Sequence, residues 1–150
     1  MVRLFDNINE QVLRTYIFWA MVLVGKMLLM SVLTIMQRFR KKAFVNEEDI
    51  VTDKKLKLKF DDPDVERVRR AHRNDLENIF TFLAIGFCYM LTNPDPWLAG
   101  TIFRLVAAGR IVHTVVYALV IVPQPTRLLA WLVPYAACLY MTAQTLLYVM

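Results

Sequence analysis

The sequence predicts an all-α integral membrane protein, built as a bundle of four helices. Apolar residues make up 57% of the 150 positions, whereas a soluble domain has about 45–50%. They are gathered into long blocks, and a block of about 20 apolar residues is what a helix needs to cross a bilayer. The chain has a net charge of +5, and its basic residues flank these apolar blocks, where positive charge indicates the orientation of a protein in the membrane. The sequence contains no nucleic-acid-binding motif that would give the basic residues another role.

The first helix is expected over about residues 11–40, because residues 17–36 are apolar apart from Lys26. A lysine in the middle of a span lies too deep for its ammonium group to reach the headgroups easily. We therefore expect Lys26 to pair with a buried carboxylate, and Asp75 is the candidate.

A polar loop over about residues 41–64 follows, in which basic and acidic residues alternate. The lysines and arginines between the first two helices include Arg38, Arg40, Lys41, Lys42, Lys54, Lys55, Lys57 and Lys59. The turn between the second and third helices contains no lysine or arginine. Because positively charged loops stay in the cytoplasm, we expect this loop to be cytoplasmic and both chain termini to lie on the other side.

The second helix is expected over about residues 65–91, after acidic residues and Pro63 that suit a helix N-terminus. Only residues 78–91 are free of charge, and this stretch is too short to cross a bilayer. Part of the charged half must therefore reach membrane depth or line a cavity walled by protein.

The third helix is expected over about residues 97–122, and prolines at positions 123 and 125 end it. The fourth is expected over about residues 126–149, with Thr126 as its cap. Pro134 lies inside this helix, where a membrane helix tolerates a kink. Arg104 of the third helix is expected to pair within the bundle.

The two cysteines, Cys88 and Cys138, both lie in apolar blocks and have no spacing typical of a disulfide framework or a metal site. We expect them to be small buried apolar residues. No serine–histidine–acid set or metal-ligand cluster stands out in the sequence.

One face of the second helix carries Arg70, Arg73, Asn74 and Glu77, which fall at i, i+3, i+4 and i+7. Two fixed cations, an amide and a carboxylate suit a small zwitterionic ligand at the edge of the membrane. The alternative is an amphipathic first turn in headgroup water, with intrahelical pairs such as Arg73–Glu77. We prefer this alternative for the neighbouring residues Arg67, Arg69 and His72.

Polar residues of the other three helices are expected at the same depth. They are Arg38 at the end of the first helix, Arg110, His113 and Tyr117 on the third, and Arg127 at the start of the fourth. This predicts one polar pocket near the cytoplasmic side of the bundle. Arginine binds carboxylates through a rigid fork, and a cationic site favours the ionised form of a ligand thiol.

Five segments resemble the signature segments of one family of membrane proteins. They are KMLLMS at 26–31, RKKAFVNEED at 40–49, DVERVRRAHRNDLEN at 64–78, GRIVHT at 109–114 and PQPTR at 123–127. In combination they make nearly the whole chain resemble the MAPEG family, the membrane-associated proteins in eicosanoid and glutathione metabolism, and most closely its glutathione transferases.

The resemblance implies a homotrimer of four-helix subunits that binds glutathione between neighbouring subunits. Matched by position, the glutathione-binding residues would be Arg73, Asn74, Glu77, His113, Tyr117 and Arg127, with Arg70 nearby and Arg38 supplied across the interface. Arg127 would be the catalytic residue, which stabilises the glutathione thiolate. No metal is implied.

The activity that the resemblance implies is transfer of glutathione to lipophilic electrophiles that enter from the membrane lipid, with reduction of lipid hydroperoxides as a second activity. The implied location is the endoplasmic reticulum membrane, with the mitochondrial outer membrane as an alternative. A glutathione-dependent prostaglandin E synthase, a non-catalytic lipid-binding protein of the same fold, and a channel or transporter are the competing interpretations.

Three positions bear on these alternatives. The prostaglandin-synthesising members carry a serine after the last arginine, where this chain has Leu128, although Asp49 of those enzymes is present. The mammalian transferases carry a reactive cysteine in the first loop, where this chain has Ile50. We therefore expect no activation by thiol-alkylating reagents through that loop.

Overall fold

The computed structural model describes residues 8–51 and 56–150, so Lys54 and Lys55 of the predicted loop lie outside the described residues. The described residues form four long helices and no strand: α1 (Glu10–Lys41), α2 (Pro63–Leu91), α3 (Pro96–Thr114) and α4 (Thr126–Val149). A short 3-10 turn, Glu47–Ile50, interrupts the loop between α1 and α2. The predicted all-α, four-helix fold class is confirmed.

The prediction of a third helix running to residue 122 is wrong at its C-terminal end. The α-helix ends at Thr114, and a π-helical turn, Val115–Leu119, follows it. The Val120 amide closes this turn by donating to the Val115 carbonyl at 2.8 Å. Pro123 cannot donate a backbone hydrogen bond and disfavours helical geometry in the residue before it, so the helix unwinds before reaching residue 122.

Side-chain oxygens cap three of the helix N-termini, where backbone N–H groups lack helical partners. Asn9 accepts from Gln11 N at 2.9 Å, and Asp95 accepts from Leu98 N at 2.9 Å. Asp62 accepts from the first two amides of α2. A hydrogen bond from Lys59, reinforced by these amides, lowers the pKa of the Asp62 carboxyl.

Thr126 is not the cap that the sequence predicted for α4. It is the first helical residue, and the N-cap position is occupied by Pro125, which makes no side-chain capping hydrogen bond. The Gln124 side-chain oxygen instead accepts from Leu128 N at 3.2 Å. An N-cap side chain bonds an amide two or three residues further along the chain, whereas Gln124 reaches an amide four residues away. The glutamine side chain is long enough to span this larger separation.

Three segments are long and apolar enough to cross a membrane: α1, α3 with its π-helical turn (Pro96–Leu119), and α4. The chain is therefore a membrane protein. Helix α2 is as long as these but is charged in its first half, and it packs against the other three helices. Its buried side includes Val68, Ala71 and the wholly buried Asp75, so the protein itself encloses part of this charged half.

An aromatic core joins α1, α2 and α3 in the half of the bundle that is distant from the charged loop. Phe82 and Phe103 are fully buried with ring centroids 6.0 Å apart, and Tyr16 packs against both. Helices α3 and α4 approach each other closely where Gly109 faces Pro134, because a Cβ at Gly109 would lie 2.7 Å from the proline Cδ.

Two expectations about individual residues are wrong, those for Cys88 and Arg104. Cys88 is exposed, because lipid tails are as apolar as a protein core and an apolar membrane residue need not face protein. Cys138 is partly buried and packs against the core. Arg104 is exposed, and its Nε donates to the Gly100 carbonyl at 2.8 Å rather than to a carboxylate. Its side chain thus runs back along its own helix.

Candidate functional site

A cavity of about 400 Å³ opens where α2, α3 and α4 meet near the loop end of the bundle. Its lining residues are Arg70, Arg73, Asn74, Glu77, His113, Tyr117, Gln124, Arg127, Leu128 and Trp131. Small-molecule sites have volumes of about 300–1,000 Å³, so a tripeptide-sized ligand fits this one. The four-residue face of α2 forms one wall, because its spacing aligns all four side chains.

The charged groups of this cavity are free to bind a ligand. Among the described residues, Arg70, Arg73, Glu77 and Arg127 form no ion pair, so the intrahelical Arg73–Glu77 pair is absent. The three arginines and the glutamate give the cavity a net charge of +2. An exposed intrahelical pair is worth little, so leaving these side chains unpaired costs the fold little.

Arg127 is held by an aromatic ring rather than by an acid. Its guanidinium carbon lies 4.6 Å from the centroid of the Tyr117 ring, within the range of a cation–π interaction. The Tyr117 ring in turn packs edge-on against His113, with ring centroids 5.5 Å apart. The guanidinium therefore keeps its full charge and most of its hydrogen-bond donors for a ligand.

Behind the cavity wall lies a buried polar network centred on Asp75. Its carboxylate accepts from Arg110 Nη2 at 2.6 Å and from the Thr114 hydroxyl at 3.3 Å, and it pairs with Lys26. The predicted Lys26–Asp75 pair is confirmed. Lys26 on α1 and Arg110 on α3 thus both pair with Asp75 on α2. Each of these charged groups would be costly to bury without its partner.

Arg110 links this network to the cavity. Its Nη2 also donates to the side-chain oxygen of Asn74 at 2.7 Å, and it lies 3.4 Å from Nδ1 of His113. Arg110 is only 1% exposed, so it does not line the pocket as the sequence suggested. It instead holds two lining residues in place.

A second cavity of about 510 Å³ continues from the first along α2 and α4. The two share Asn74, Glu77 and Trp131. Further along, the wall becomes more apolar, with Ile85, Leu139 and the partly buried Cys138. A polar cavity therefore adjoins a more apolar one that is lined by membrane-spanning segments of the bundle.

Of the predicted site residues, all except Arg38 and the buried Arg110 line the first cavity. Arg38 lies on α1, where its Nη1 donates to the Ala43 carbonyl at 3.0 Å. Gln124, Leu128 and Trp131 line the cavity but were not predicted; the signal was available, since they flank Arg127 within one helical turn. No His, Cys, Asp or Glu cluster with metal-site geometry occurs among the described residues.

The chain matches the family model described as the MAPEG family over residues 16–147. It is 43% identical over 151 residues to microsomal glutathione S-transferase 1 of Homo sapiens, covering 97% of this chain and 96% of that protein. It is also 43% identical over 139 residues to prostaglandin E synthase of Bos taurus, covering 93% of this chain and 90% of that protein. The same transferase of Mus musculus is 42% identical over 148 residues, covering 96% of this chain and 93% of that protein.

Proposed function

The chain belongs to the MAPEG family, and from this premise we propose that it is a membrane-bound glutathione transferase that also reduces lipid hydroperoxides. Its similarity to microsomal glutathione S-transferase 1 over nearly the full chain supports transfer of glutathione. The transferase activity makes glutathione a co-substrate. The lipophilic acceptor and the peroxidase activity are the finer parts of the proposal.

The observation that carries the proposal is the unpaired charge of the first cavity. Glutathione has two carboxylates and one ammonium group, and its thiolate form has a net charge opposite and equal to that of the cavity lining. Arg70 and Arg73 suit the carboxylates because a guanidinium binds a carboxylate through two parallel hydrogen bonds. Glu77 suits the ammonium group, and Asn74, His113 and Tyr117 supply polar contacts between them.

Arg127 is the proposed catalytic residue. A fixed positive charge beside the sulfur favours the thiolate over the thiol, and the thiolate is the nucleophile. Its sulfur then forms a bond to an electrophilic carbon, and the displaced leaving group departs with the electron pair of the broken bond. The protein supplies binding, orientation and charge, whereas the ligand supplies the nucleophile.

The second cavity is the proposed approach for the lipophilic acceptor. It borders the first cavity, with which it shares Asn74, Glu77 and Trp131, and is lined by segments of α2 and α4. A lipid hydroperoxide on this path would receive the same thiolate at its outer oxygen. The O–O bond would break, the lipid alcohol would leave after taking up a proton, and a second glutathione would convert the sulfenic form to glutathione disulfide and water.

A homotrimer would explain the position of Arg38. This residue is predicted to contact glutathione, yet it lies outside the cavity of its own chain. In the proposed trimer Arg38 of a neighbouring subunit completes the site. The membrane is proposed to be that of the endoplasmic reticulum, with the charged loop in the cytoplasm, where glutathione is plentiful.

The similarity to prostaglandin E synthase of Bos taurus supports a second candidate function, glutathione-dependent prostaglandin E synthesis. Leu128 weighs against it, because it places an apolar side chain in the cavity lining where the resemblance predicts a serine hydroxyl. Asp49 also lies away from the cavity, bonded to Asn46 at 3.1 Å. Isomerisation of a prostaglandin endoperoxide by purified protein, at a rate above its transferase rate, would favour this candidate.

The test of the main proposal is an ultraviolet difference spectrum of detergent-purified protein with glutathione at neutral pH. We expect the thiolate absorption band, and we expect none with S-methylglutathione, which binds without an ionisable thiol. Saturable glutathione binding without the band would contradict thiolate activation.

A further inference from the structure

A separate cavity of about 160 Å³ lies at the loop end of the bundle, between the end of α1, the start of α2 and the π-helical turn after α3. It shares no lining residue with the two cavities of the glutathione site. A water molecule occupies about 30 Å³ in the liquid, so this cavity has room for roughly five waters or one phosphate-sized group.

Basic side chains surround this cavity: Arg40, Lys41 and Arg67. Lys41 is neutralised by Asp64, with its Nζ 2.5 Å from the carboxylate. Neither Arg40 nor Arg67 forms an ion pair among the described residues. Two positive charges are therefore available to an anion in this cavity.

Two polar atoms at this cavity are buried but have no hydrogen-bond partner in the described part of the chain. They are Nε of Arg67, a donor, and Oε1 of Gln37, an acceptor. A buried polar atom without a partner costs about 1–3 kcal/mol, so such atoms are usually satisfied by something bound. A ligand that satisfies both atoms offers a hydrogen-bond acceptor to Arg67 and a donor to Gln37.

The rim of the cavity is apolar on one side. Leu119 and Ile121 line it and are 56% and 64% exposed. They continue from the membrane-spanning segment Pro96–Leu119, so an occupant whose anionic end fills the cavity can lay a hydrocarbon chain along this side. Basic pockets between helices at this side of a membrane are typical sites for anionic lipid headgroups.

From these features we propose that the cavity binds an anionic phospholipid whose headgroup carries a hydrogen-bond donor, such as phosphatidylserine. Its phosphate lies between Arg40 and Arg67, and its headgroup ammonium or hydroxyl donates to Gln37. Phosphatidylcholine has a phosphate but no headgroup N–H or O–H, so it leaves Gln37 unsatisfied. Arg67 thus has a ligand of its own, in place of the solvent-facing role that the sequence suggested.

The test is a native mass spectrometry titration of the full-length protein in detergent with dioctanoyl phosphatidylserine. We expect saturable binding that Arg67→Gln weakens about tenfold, the effect of one lost charge-assisted hydrogen bond. Arg69→Gln is the matched control, because Arg69 is two residues away and pairs with Glu66 at 2.5 Å. Equal weakening by both variants would indicate only general attraction of charge and would overturn the site.

A soluble analogue of the headgroup tests whether the ligand is a lipid. Glycerophosphoserine, which lacks acyl chains, is expected to bind far more weakly; equal binding would overturn a lipid ligand in favour of a soluble anion.

A second variant tests the role of Gln37. Gln37→Leu keeps all charges and is expected to reduce the preference for dioctanoyl phosphatidylserine over dioctanoyl phosphatidylcholine several-fold. An unchanged preference would contradict the role of Gln37. Saturable glutathione binding by each variant verifies folding.

Discussion

Single residues in this protein divide between those proposed to contact glutathione and those that hold other side chains in place. Arg127 and Glu77 line the cavity without a protein ion-pair partner among the described residues. Asp75 and Arg110, by contrast, are buried and bonded to each other at 2.6 Å. Substitution of Arg127 or Glu77 should therefore impair glutathione binding or turnover, whereas substitution of Asp75 or Arg110 should lower the stability of the fold.

Arg127→Ala should lower turnover at saturating glutathione by about a hundredfold, the usual effect of removing one group that stabilises developing or fixed negative charge. It should also raise the thiol pKa of bound glutathione, since the nearby cation is lost. Glu77→Ala should mainly weaken glutathione binding. Steady-state kinetics together with thiolate titration measure both effects, and equal losses of kcat and affinity in both variants would contradict this division of roles.

Asp75→Asn should lower the free energy of unfolding by about 3 kcal/mol, because it leaves Lys26 and Arg110 as buried cations without their shared anion. Denaturant unfolding in detergent measures the loss. The control is Glu66→Gln, which removes the acid of the more exposed Arg69 pair and should cost less than about 1 kcal/mol. Similar losses in the two variants would show that the buried network adds nothing beyond a surface pair.

At the scale of the helices, position depends on a few close contacts. The approach of α3 to α4 at Gly109 and Pro134 sets where Arg127 and Trp131 stand relative to His113, since the first two lie on α4 and the third on α3. The π-helical turn after α3 similarly includes Tyr117, which carries the ring under Arg127. Local backbone features thus position Arg127, the proposed catalytic residue.

Gly109→Ala should destabilise the protein by about 1–3 kcal/mol, the usual cost of overpacking. The added methyl would lie 2.7 Å from Pro134 Cδ and 3.3 Å from the Ala130 carbonyl, neither of which can rotate away. Gly100→Ala is the control on the same helix. Its methyl would meet the flexible end of Arg104 at 3.4 Å and the Thr15 methyl at 3.6 Å, an ordinary contact distance, so thermal unfolding should show no loss there. Equal midpoints for both variants would contradict the tight α3–α4 contact.

At the scale of the whole molecule, a single chain forms most of the proposed site but leaves broad apolar faces uncovered. In the most apolar 18-residue stretch of α1, only 17% is buried within the chain, and the corresponding stretch of α4 is also 17% buried. Lipid or neighbouring subunits cover such faces in a membrane. The proposed trimer assigns part of this surface to neighbours and brings Arg38 to the next subunit's cavity.

Mixing two variants, each expected to be strongly impaired on its own, tests this arrangement. If Arg38 acts across the interface, trimers assembled from equal amounts of Arg38→Ala and Arg127→Ala chains contain intact sites, with about a quarter of the wild-type activity overall. If Arg38 acts within its own chain, or if the protein is a monomer, the mixture contains no intact site and remains strongly impaired. Transferase assays of the co-expressed and the separately expressed variants measure the difference.

The sequence predicted much of the fold and the site because the relevant signals are local. Helical spacing was enough to place Arg70, Arg73, Asn74 and Glu77 on one face, and a deep lysine was enough to indicate a buried partner. The role of Arg110 and the early end of α3 were not predictable in this way. They depend on which side of a helix meets its neighbours and on how the backbone approaches two prolines, and neither is encoded in residue spacing.

The hydrogen bond between Arg110 and Asn74 determines which way round an amide is presented. A side-chain amide carries an oxygen that accepts and a nitrogen that donates, and its outline is nearly the same when the two are exchanged. Because the oxygen is engaged by Arg110 at 2.7 Å, the nitrogen is left for the ligand. Arg110, which lies outside the cavity, therefore makes Asn74 a hydrogen-bond donor to the cavity rather than an acceptor. This favours a ligand carbonyl or carboxylate next to Asn74 over an amine.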